Sequence, residues 1–560
     1  MNNEQYIAYL NSLHNYNAQN PNAYGEKNIE SPFFNDVMVR VGLCDFICDC
    51  FAKDEPHSII LTGHAGDGKT SIMYQVLEDL DMDFSAAEKV FDISFPGTEI
   101  CRCIKDFSEI SDDLKASVLS EALNMPKSGN YTFMVANTGP LINTFGELFV
   151  GEEKEEAKIK LIDAMDKNTG NIVDILGYKI RVINVASIDN TYFASEFLNN
   201  ITQEKLWSKC GECDKCQNCH IYRNRNLIIQ NKKRVNEFIT MHYIWLTEHG
   251  RRLTIRSMTE QLAYMITGGA DCSSIVSAKP YKYLFSNLFF GYVGTIRDDA
   301  ALKIVAVNEA NSCGYDYKRL RSDEALLVNG NYSSLFGKDV AHIISMAEIE
   351  NAYVSGWAEF LRRTYLMLNI VTDEKVVMND WEDAFSKQFK RFCDLRDGAS
   401  TPSKSDANLI CDALSMIYIG TTNSDQQIPL TLSRESGIAQ NVQLITGSIS
   451  TRNVRLVQRE TRDSLFNKEK RNILKIEVNK RELDSEITLP LLDYFEELKN
   501  GVISTNVDPQ LSHGVESLKA QLSNELDDED DGSFEMIILR NNGNVPVRLE
   551  ITENKHIREI

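Results

Sequence analysis

The sequence predicts an α/β fold: a parallel five-stranded sheet covered by helices, followed by a helical region and a β-rich C-terminal part. Three observations predict it. A glycine-rich loop near residue 63 joins a short apolar run to a helix-forming run. Short apolar runs then alternate with helical segments as far as residue 186, which is typical of parallel, helix-covered sheets. Beyond residue 427, runs rich in valine, isoleucine and leucine follow one another closely, which indicates strands.

The loop at 63–70 matches G-x-x-x-x-G-K-[ST], the phosphate-binding loop of P-loop NTPases. The apolar run Ser58–Thr62 before it and the helix-forming run Ser71–Leu80 after it supply the strand–loop–helix context of a true P-loop. The Lys69 ammonium would reach the β- and γ-phosphates, and the Thr70 hydroxyl would ligate Mg²⁺. The alternative is a glycine turn before a helix. The residues predicted to bind ATP are Gly63, His64, Ala65, Gly66, Asp67, Gly68, Lys69, Thr70 and Ser71.

Acidic residues near the ends of the predicted strands are candidates for Mg²⁺ binding and catalysis, because ligands bind at the carboxyl ends of parallel strands. The other four predicted strands are 89–94, 101–106, 131–137 and 180–186. Asp106 ends the third strand and is predicted to hold Mg²⁺. Glu109 is predicted to orient the attacking water as catalytic base. Asp92 and Asp189 are rivals, and each carboxylate could instead cap a helix or lie at the surface.

Two further side chains are candidates for sensing the γ-phosphate. Asn137 ends the fourth strand, where an amide can hold the nucleophilic water; the alternative is an asparagine in a turn before glycine. Arg256 opens a predicted lid helix and could couple hydrolysis to domain motion, or could be a solvent-exposed arginine. Possible arginine fingers acting in trans, which the sequence does not rank, are Arg223, Arg225 and Arg234.

A run of four cysteines is the second strong motif. Cys210, Cys213, Cys216 and Cys219 follow one another at x₂ spacing. Two Cys-x-x-Cys pairs could close a tetrahedral structural zinc site, whereas three consecutive x₂ gaps also suit an iron–sulfur cluster. The absence of any bound metal is the third alternative. His220 follows directly and is predicted to be a neighbour of the site and not a ligand.

Composition and charge narrow the function classes. The 560-residue chain is 43% hydrophobic and 25% charged, as in ordinary globular proteins. It has no apolar run of membrane-spanning length and no signal-peptide pattern, so it is predicted to be cytoplasmic, without a membrane partner. The net charge of −22 argues against a surface that binds nucleic acid throughout. Residues 201–256 have the opposite net charge, with eleven basic residues and five acidic ones. This basic window could bind a polyanion, or it could be a solvated helical face.

The succession of Lys69/Thr70, Asp106 and Asn137 at strand ends resembles the AAA+/STAND branch of P-loop ATPases (ASCE-like). That resemblance implies the strand order 5-1-4-3-2 and a helical lid carrying Arg256. Over about residues 30–330, the chain more narrowly resembles the DptF (DndF) family. The stretches that carry this likeness are the loop 63–70, Lys105-Asp-Phe-Ser-Glu109, the cysteine run continuing through Cys219-His-Ile-Tyr-Arg-Asn224, and Thr254-Ile-Arg256 through Tyr264-Met-Ile-Thr-Gly-Gly269.

The DptF resemblance implies an ATPase subunit of the bacterial DNA phosphorothioation-dependent restriction system, an anti-phage defence. It implies partners like DptG and DptH, DNA bound directly or through them, and an oligomer or hetero-complex with ATP and Mg²⁺ as cofactors. No nuclease constellation is evident in the chain. Departure from the usual adjacent Asp-Glu pair leaves open a signalling scaffold with little turnover. The cysteine run and the basic window leave open a nucleic-acid-binding module that uses them.

Four segments are predicted along the chain. They are an N-terminal arm at 1–30, a P-loop NTPase domain at 31–230 with a cysteine insertion at 207–224, a helical lid or helical domain at 231–400, and a β-rich domain at 401–560.

Overall fold

The computed structural model describes residues 3–14, 29–84, 88–94, 99–274, 279–421, 426–431, 442–461, 466, 471–502, 507–525, 533–538, 545–551 and 556–559. The chain divides into two compact units, of which the first comprises Met1–Ala384 with Arg462–Glu469 and the second Phe385–Thr461 with Lys470–Ile560. The predicted division at 230/231 lies inside the first unit, and the predicted segment boundaries stay predictions.

A six-stranded mixed sheet forms the centre of the first unit. Its strands are β1 (Ser58–Thr62), β2 (Val90–Ser94), β3 (Ile100–Ile104), β4 (Tyr131–Val135), β5 (Val173–Ile175) and β6 (Tyr178–Asn184). They lie in the order β2-β3-β4-β1-β6-β5. The five strands named from the sequence therefore stand in the order 5-1-4-3-2, with one more strand beyond the fifth. The α/β class is confirmed, and the expected count of five strands is wrong.

Strand direction corrects the expectation of an all-parallel sheet. The four central strands β3, β4, β1 and β6 are parallel, whereas β2 runs antiparallel to β3 and β5 antiparallel to β6. Parallel neighbours need a crossover of a dozen or more residues, and only residues 95–99 separate β2 from β3. A two-residue turn, Leu176-Gly177, joins β5 to β6 with φ of 51° and 89° at its two residues. Those positive values match a hairpin turn of the primed type.

Helices cover both faces of this sheet. Two buried clusters show it: one includes Leu43, Ile72 and Phe133, and the other includes Leu119 and Leu161. The helices up to the cysteine run are α1 (Asn3–Ser12), α2 (Phe34–Val37), α3 (Gly42–Lys53), α4 (Lys69–Asp79), α5 (Asp112–Asn124), α6 (Thr138–Glu147), α7 (Glu152–Lys167), α8 (Phe193–Ile201) and α9 (Glu204–Trp207).

Part of the predicted N-terminal arm belongs to the first unit and is packed against its other helices. Tyr6 and Leu10 of α1 are buried, and the Tyr6 hydroxyl donates to the carbonyl oxygen of Ile201 at 2.7 Å. The Asn11 amide donates to the carbonyl oxygen of Ala270 at 2.8 Å. Residues 15–28 of the predicted arm lie outside the described residues. The described part of the segment is therefore a packed helix.

The remainder of the first unit is mostly helical. Its helices are α10 (His220–Gln230), α11 (Lys232–Glu248), α12 (Ile255–Thr267), α13 (Phe285–Leu288), α14 (Val305–Ser312), α15 (Tyr332–Leu335), α16 (Lys338–Asn351), α17 (Trp357–Leu368) and α18 (Glu374–Ala384), with the short strands β7 (Tyr292–Val293) and β8 (Ile296–Arg297).

A fully buried arginine sits in this helical part. Arg363 of α17 is 0% exposed and pairs with the carboxylate of Asp316, which is 5% exposed. Its Nε donates to Oδ1 of Asn287 at 2.7 Å, and its guanidinium lies 3.7 Å from the ring centroid of Tyr292. Burial lowers the pKa of Arg363, and the Asp316 carboxylate opposes that effect. The charge is thus kept in the core by one carboxylate, one amide and one ring.

The second unit is rich in strands, as the sequence predicts. It contains α19 (Phe389–Arg396), α20 (Lys404–Ile419), β9 (Gln427–Thr431), β10 (Val442–Ser450), β11 (Val454–Glu460), β12 (Asn472–Val478), β13 (Arg481–Glu486), α21 (Leu489–Lys499), α22 (Pro509–Asn524), β14 (Ser533–Ile538), β15 (Val545–Ile551) and β16 (Ile557–Glu559). Its two sheets have the orders β16-β15-β14-β10-β9 and β11-β12-β13, and all their pairings are antiparallel. Within the described parts of the chain, no helix is long and apolar enough to cross a membrane.

Candidate functional site

The glycine-rich loop turns between the buried strand β1 and the first residue of α4. Gly63, Gly66 and Gly68 all have positive φ, of 146°, 93° and 82°. At Gly66 a Cβ atom would lie 3.0 Å from Oγ1 of Thr254 and 3.1 Å from Cβ of Arg256. The amide of Arg256 donates to the carbonyl oxygen of Gly66 at 3.0 Å. Glycine is therefore required at residue 66 both for its backbone angle and for the close approach of α12.

Lys69 is held over the loop by acceptors on two sides. Its Nζ donates to the carbonyl oxygens of Gly63 and His64 at 3.2 and 2.6 Å, and to Oδ1 of Asn137 at 3.1 Å. The residue is 6% exposed, and burial lowers its pKa, with Asp67 and Asp106 acting in the opposite direction. The first and fourth predicted strands therefore meet at this ammonium group.

Asp67 inside the loop has a structural partner that the sequence does not reveal. Its side chain is 0% exposed and accepts from Arg252 Nη1 at 2.9 Å. Its other carboxylate oxygen accepts from the amide of His64 at 2.9 Å. Arg252 also donates to the carbonyl oxygens of Val185 and Ile188 at 3.3 and 3.4 Å. The Asp67–Arg252 ion pair therefore links the loop to the segment that precedes α12.

Asp106 and Asn137 lie side by side beyond the ends of β3 and β4. The Asp106 carboxylate accepts from the amide of Ser108 at 2.9 Å, and the Ser108 hydroxyl accepts from the amide of Asn137 at 3.0 Å. Burial raises the pKa of Asp106, while the hydrogen bond from the Ser108 amide and the charge of Lys69 lower it. Ser108, which sequence reasoning missed, couples the two strand ends.

One cavity of about 220 Å³ brings most of the predicted site together. Its lining includes Ala65, Gly66 and Gly68 of the loop, but not Gly63, His64 or Asp67. Four further residues predicted from the sequence also line it, namely Lys69, Asp106, Asn137 and Arg256, with Thr70 and Ser71 at the start of α4. Arg256 is on the first turn of α12 and is exposed, and the Thr254 hydroxyl caps this helix by accepting from the amide of Ser257. The cavity therefore presents an ammonium, a guanidinium, a carboxylate and helix N–H groups to one volume.

Apolar side chains also line this cavity. They are Tyr9, Leu13, Phe34, Val37, Met38, Val39, Val41, Phe193, Phe197 and Ile255. Tyr9 lies on α1 and Leu13 just after it, so the packed N-terminal helix contributes to the cavity wall. A ligand with an apolar group attached to a polyanion would match this mixed lining. The sequence pattern does not indicate these apolar residues, because they come from several separate elements.

Three acidic candidates lie apart from this group. Glu109 pairs with Lys89 at 3.0 Å with 55% of its side chain exposed, and is not among the described residues lining the cavity. Asp92 pairs with Arg102 at 2.9 Å. Asp189 accepts from the amide and hydroxyl of Thr191 at 2.9 and 2.7 Å. The structure thus brings Asp106 to the cavity and leaves Glu109 at the surface.

The three candidate arginine fingers are engaged within the first unit. Arg225 is buried, donates to the carbonyl oxygen of Thr202 at 3.0 Å and pairs with Glu204. Arg234 pairs with Glu237 at 3.2 Å and donates to the carbonyl oxygen of Val371. Arg223 donates to the carbonyl oxygen of Gln217 at 3.4 Å. Their contacts are those of side chains that hold helices together.

Much of the predicted basic window is likewise neutralised. Six of its eleven basic residues form ion pairs: Lys205 with Asp36, Arg225 with Glu204, Lys233 with Glu237 and Glu374, Arg234 with Glu237, Arg251 with Glu309, and Arg252 with Asp67. A polyanion-binding face needs basic groups free to meet phosphates. The pairing favours the solvated or structural interpretation of the window.

The four cysteines of the run line a second, smaller cavity of about 40 Å³ together with Cys272. His220 is buried, and its Nε2 contacts the carbonyl oxygen of Thr267 at 3.1 Å. Among the described residues, no three cysteine, histidine or carboxylate side chains are grouped as they would be around a bound metal ion.

Comparison with protein-family models, with curated proteins and with solved structures gives no match.

Proposed function

We propose that this chain binds ATP with Mg²⁺ in the 220 Å³ cavity and hydrolyses it, with the fold of a P-loop NTPase. The observation that carries the proposal is the convergence of Lys69, Asp106 and Asn137 on the loop at 63–70. In a glycine turn without a binding function, there would be no reason for residues at the ends of two other strands to lie beside the lysine of the loop. The apolar residues in the lining of the same cavity support a nucleotide over inorganic phosphate, because a base needs such a surface.

The donors in the cavity fit both parts of the ligand. The N-terminus of α4, which has 11 residues, and the buried Lys69 ammonium suit the phosphates. Thr70 and Asp106 would hold Mg²⁺, which prefers hydroxyl, carboxylate and water oxygens. Bound Mg²⁺ would neutralise charge on the phosphates. Asn137 would orient the attacking water, and Arg256 would contact the γ-phosphate from α12.

The wider setting that we propose is a DNA phosphorothioation-dependent restriction complex of a bacterial cytoplasm. In it, this chain supplies ATP turnover to subunits like DptG and DptH, which act on DNA. The support is the likeness to the DptF family in the loop, in the Asp106–Glu109 stretch and in the helix that begins at Ile255. Purification of the chain with whatever co-purifies, followed by mass spectrometry, tests this setting; recovery of the chain alone in every preparation would contradict it.

A second candidate function is a signalling NTPase that binds nucleotide and assembles partners with little turnover. The observation in its favour is the position of Glu109, which faces Lys89 instead of the cavity. A site without a carboxylate base near the nucleophilic water would hydrolyse slowly.

Substitution of the two acidic residues separates these functions. We expect Asp106→Asn to lower ATP turnover about 100-fold, the scale of losing one preorganised electrostatic group. We expect Glu109→Gln to change turnover by less than about fivefold, since it removes one exposed ion pair. Phosphate release at saturating ATP and Mg²⁺ measures both.

Glu121→Gln is the matched control, because Glu121 is an exposed carboxylate that pairs with Arg102 at 3.2 Å away from the cavity. Loss of turnover in Glu109→Gln alone would show that Glu109 leaves Lys89 and acts as the base. Tight ATP binding with negligible turnover in the wild-type chain and in its complex would favour the signalling function.

A further inference from the structure

The cysteine run is not alone around its cavity. Cys272, which follows the C-terminal end of α12, lines the same 40 Å³ space as Cys210, Cys213, Cys216 and Cys219. A space of that size exceeds the roughly 10–15 Å³ that one water needs. Its remaining lining is mainly apolar, from Ile7, Trp207, Ile221 and Tyr222, with Lys215. Five thiols therefore surround one small, largely apolar opening.

Hydrogen bonds fix the segment that carries Cys272 against the segment that carries Cys219. The side chain of Asn224 on α10 donates to the carbonyl oxygen of Ile266 at 3.1 Å, and the His220 ring contacts the carbonyl oxygen of Thr267 at 3.1 Å. Lys215, within the cysteine run, donates to the carbonyl oxygen of Cys272 at 3.2 Å. The packing of α10 against α12 therefore holds Cys272 close to the cysteine run.

The sulfur of Cys219 accepts a hydrogen bond from the backbone. This residue is the N-terminal cap of α10, and its Sγ accepts from the amide of Tyr222 at 3.4 Å. A hydrogen bond of this kind fixes the orientation of a side chain that ligates a metal ion. Metal ions bind the thiolate form of cysteine.

We propose that Cys272 is a ligand of a four-thiolate zinc site whose other thiolates come from the cysteine run that lines the same cavity. The structure does not group three of these side chains as ligands around a common point. Zinc binding would therefore draw the sulfurs inward by rotation about their Cα–Cβ bonds into other staggered rotamers. A ligand from a distant segment replaces the tight x₂ succession with an ordinary tetrahedral arrangement. This inference does not depend on nucleotide binding.

The experiment is zinc content per chain, measured by elemental analysis on full-length protein dialysed after growth with added zinc. We expect about one zinc ion per wild-type chain. We expect Cys272→Ser to lose most of it, and Cys272→His to restore it, because an imidazole can replace a thiolate at zinc.

Cys313→Ser is the matched control, because Cys313 is a partly buried cysteine that lies on its own at the end of α14. Circular dichroism of each variant shows whether the fold is kept, and Cys272→His serves if the serine variant does not fold. Full zinc in a folded Cys272→Ser would overturn the proposal. So would iron with visible absorbance in place of zinc, or a wild-type chain without zinc.

Discussion

Lys69→Ala is expected to weaken ATP binding about 100-fold and to abolish measurable turnover. A charge-assisted hydrogen bond contributes about 1.5–3 kcal/mol, and each 1.4 kcal/mol is a factor of ten in affinity. Lys69 is nearly buried, and its ammonium group donates to two carbonyl oxygens of the loop. Among the described residues, no other cation lies at this position. Titration with a fluorescent ATP analogue in the presence of Mg²⁺ measures the affinity.

Lys53→Ala controls for the loss of a lysine. Lys53 is exposed on α3 and pairs with Asp49 at 2.8 Å, so its removal is expected to leave the affinity unchanged. Equal affinity of Lys69→Ala and wild type for the analogue would mean that the nucleotide binds elsewhere.

The buried arginine of the helical part gives the largest expected effect on stability. Arg363→Ala leaves the Asp316 carboxylate buried without its partner. Removal of one member of a buried pair lowers the free energy of unfolding by about 3–5 kcal/mol. All four tryptophans (Trp207, Trp245, Trp357 and Trp381) lie in the first unit, so urea denaturation followed by tryptophan fluorescence reports on that unit alone.

Two further variants make this stability test specific. The double variant Arg363→Met with Asp316→Leu replaces the pair by apolar groups and is expected to recover most of the loss. Arg297→Ala removes an exposed pair with Asp299 and is expected to cost less than about 1 kcal/mol. If the single and double variants at residue 363 were equally unstable, lost packing and not an unpaired charge would be the cause.

Much of the first unit could be predicted from the sequence because its signals are local. The run Ser58–Thr62 is fully buried, as its apolar residues predict, and the loop that follows has its own motif. The four other predicted strands are present. The direction of β2 was missed, although the short connection at 95–99 carries that information. The turn Leu176-Gly177 was missed because leucine is a rare residue at positive φ.

From the sequence, site residues could be predicted only where they lie close after the end of a predicted strand. Lys69, Asp106 and Asn137 meet because the ends of parallel strands share one edge of the sheet. No periodicity indicates that Arg252 reaches Asp67 or that Cys272 reaches the cysteine run, since both approaches depend on how α12 packs. Glu109 follows Asp106 closely in sequence, but the short helical turn between them directs its carboxylate toward Lys89.

Titration calorimetry of the wild-type chain with ATP and Mg²⁺ shows whether one loop, one strand-end carboxylate and one strand-end amide form a nucleotide site. We expect heat of binding with a stoichiometry of about one nucleotide per chain, as one loop per chain requires. Absence of heat with both ATP and GTP, for the chain alone and with its co-purifying partners, would contradict this expectation.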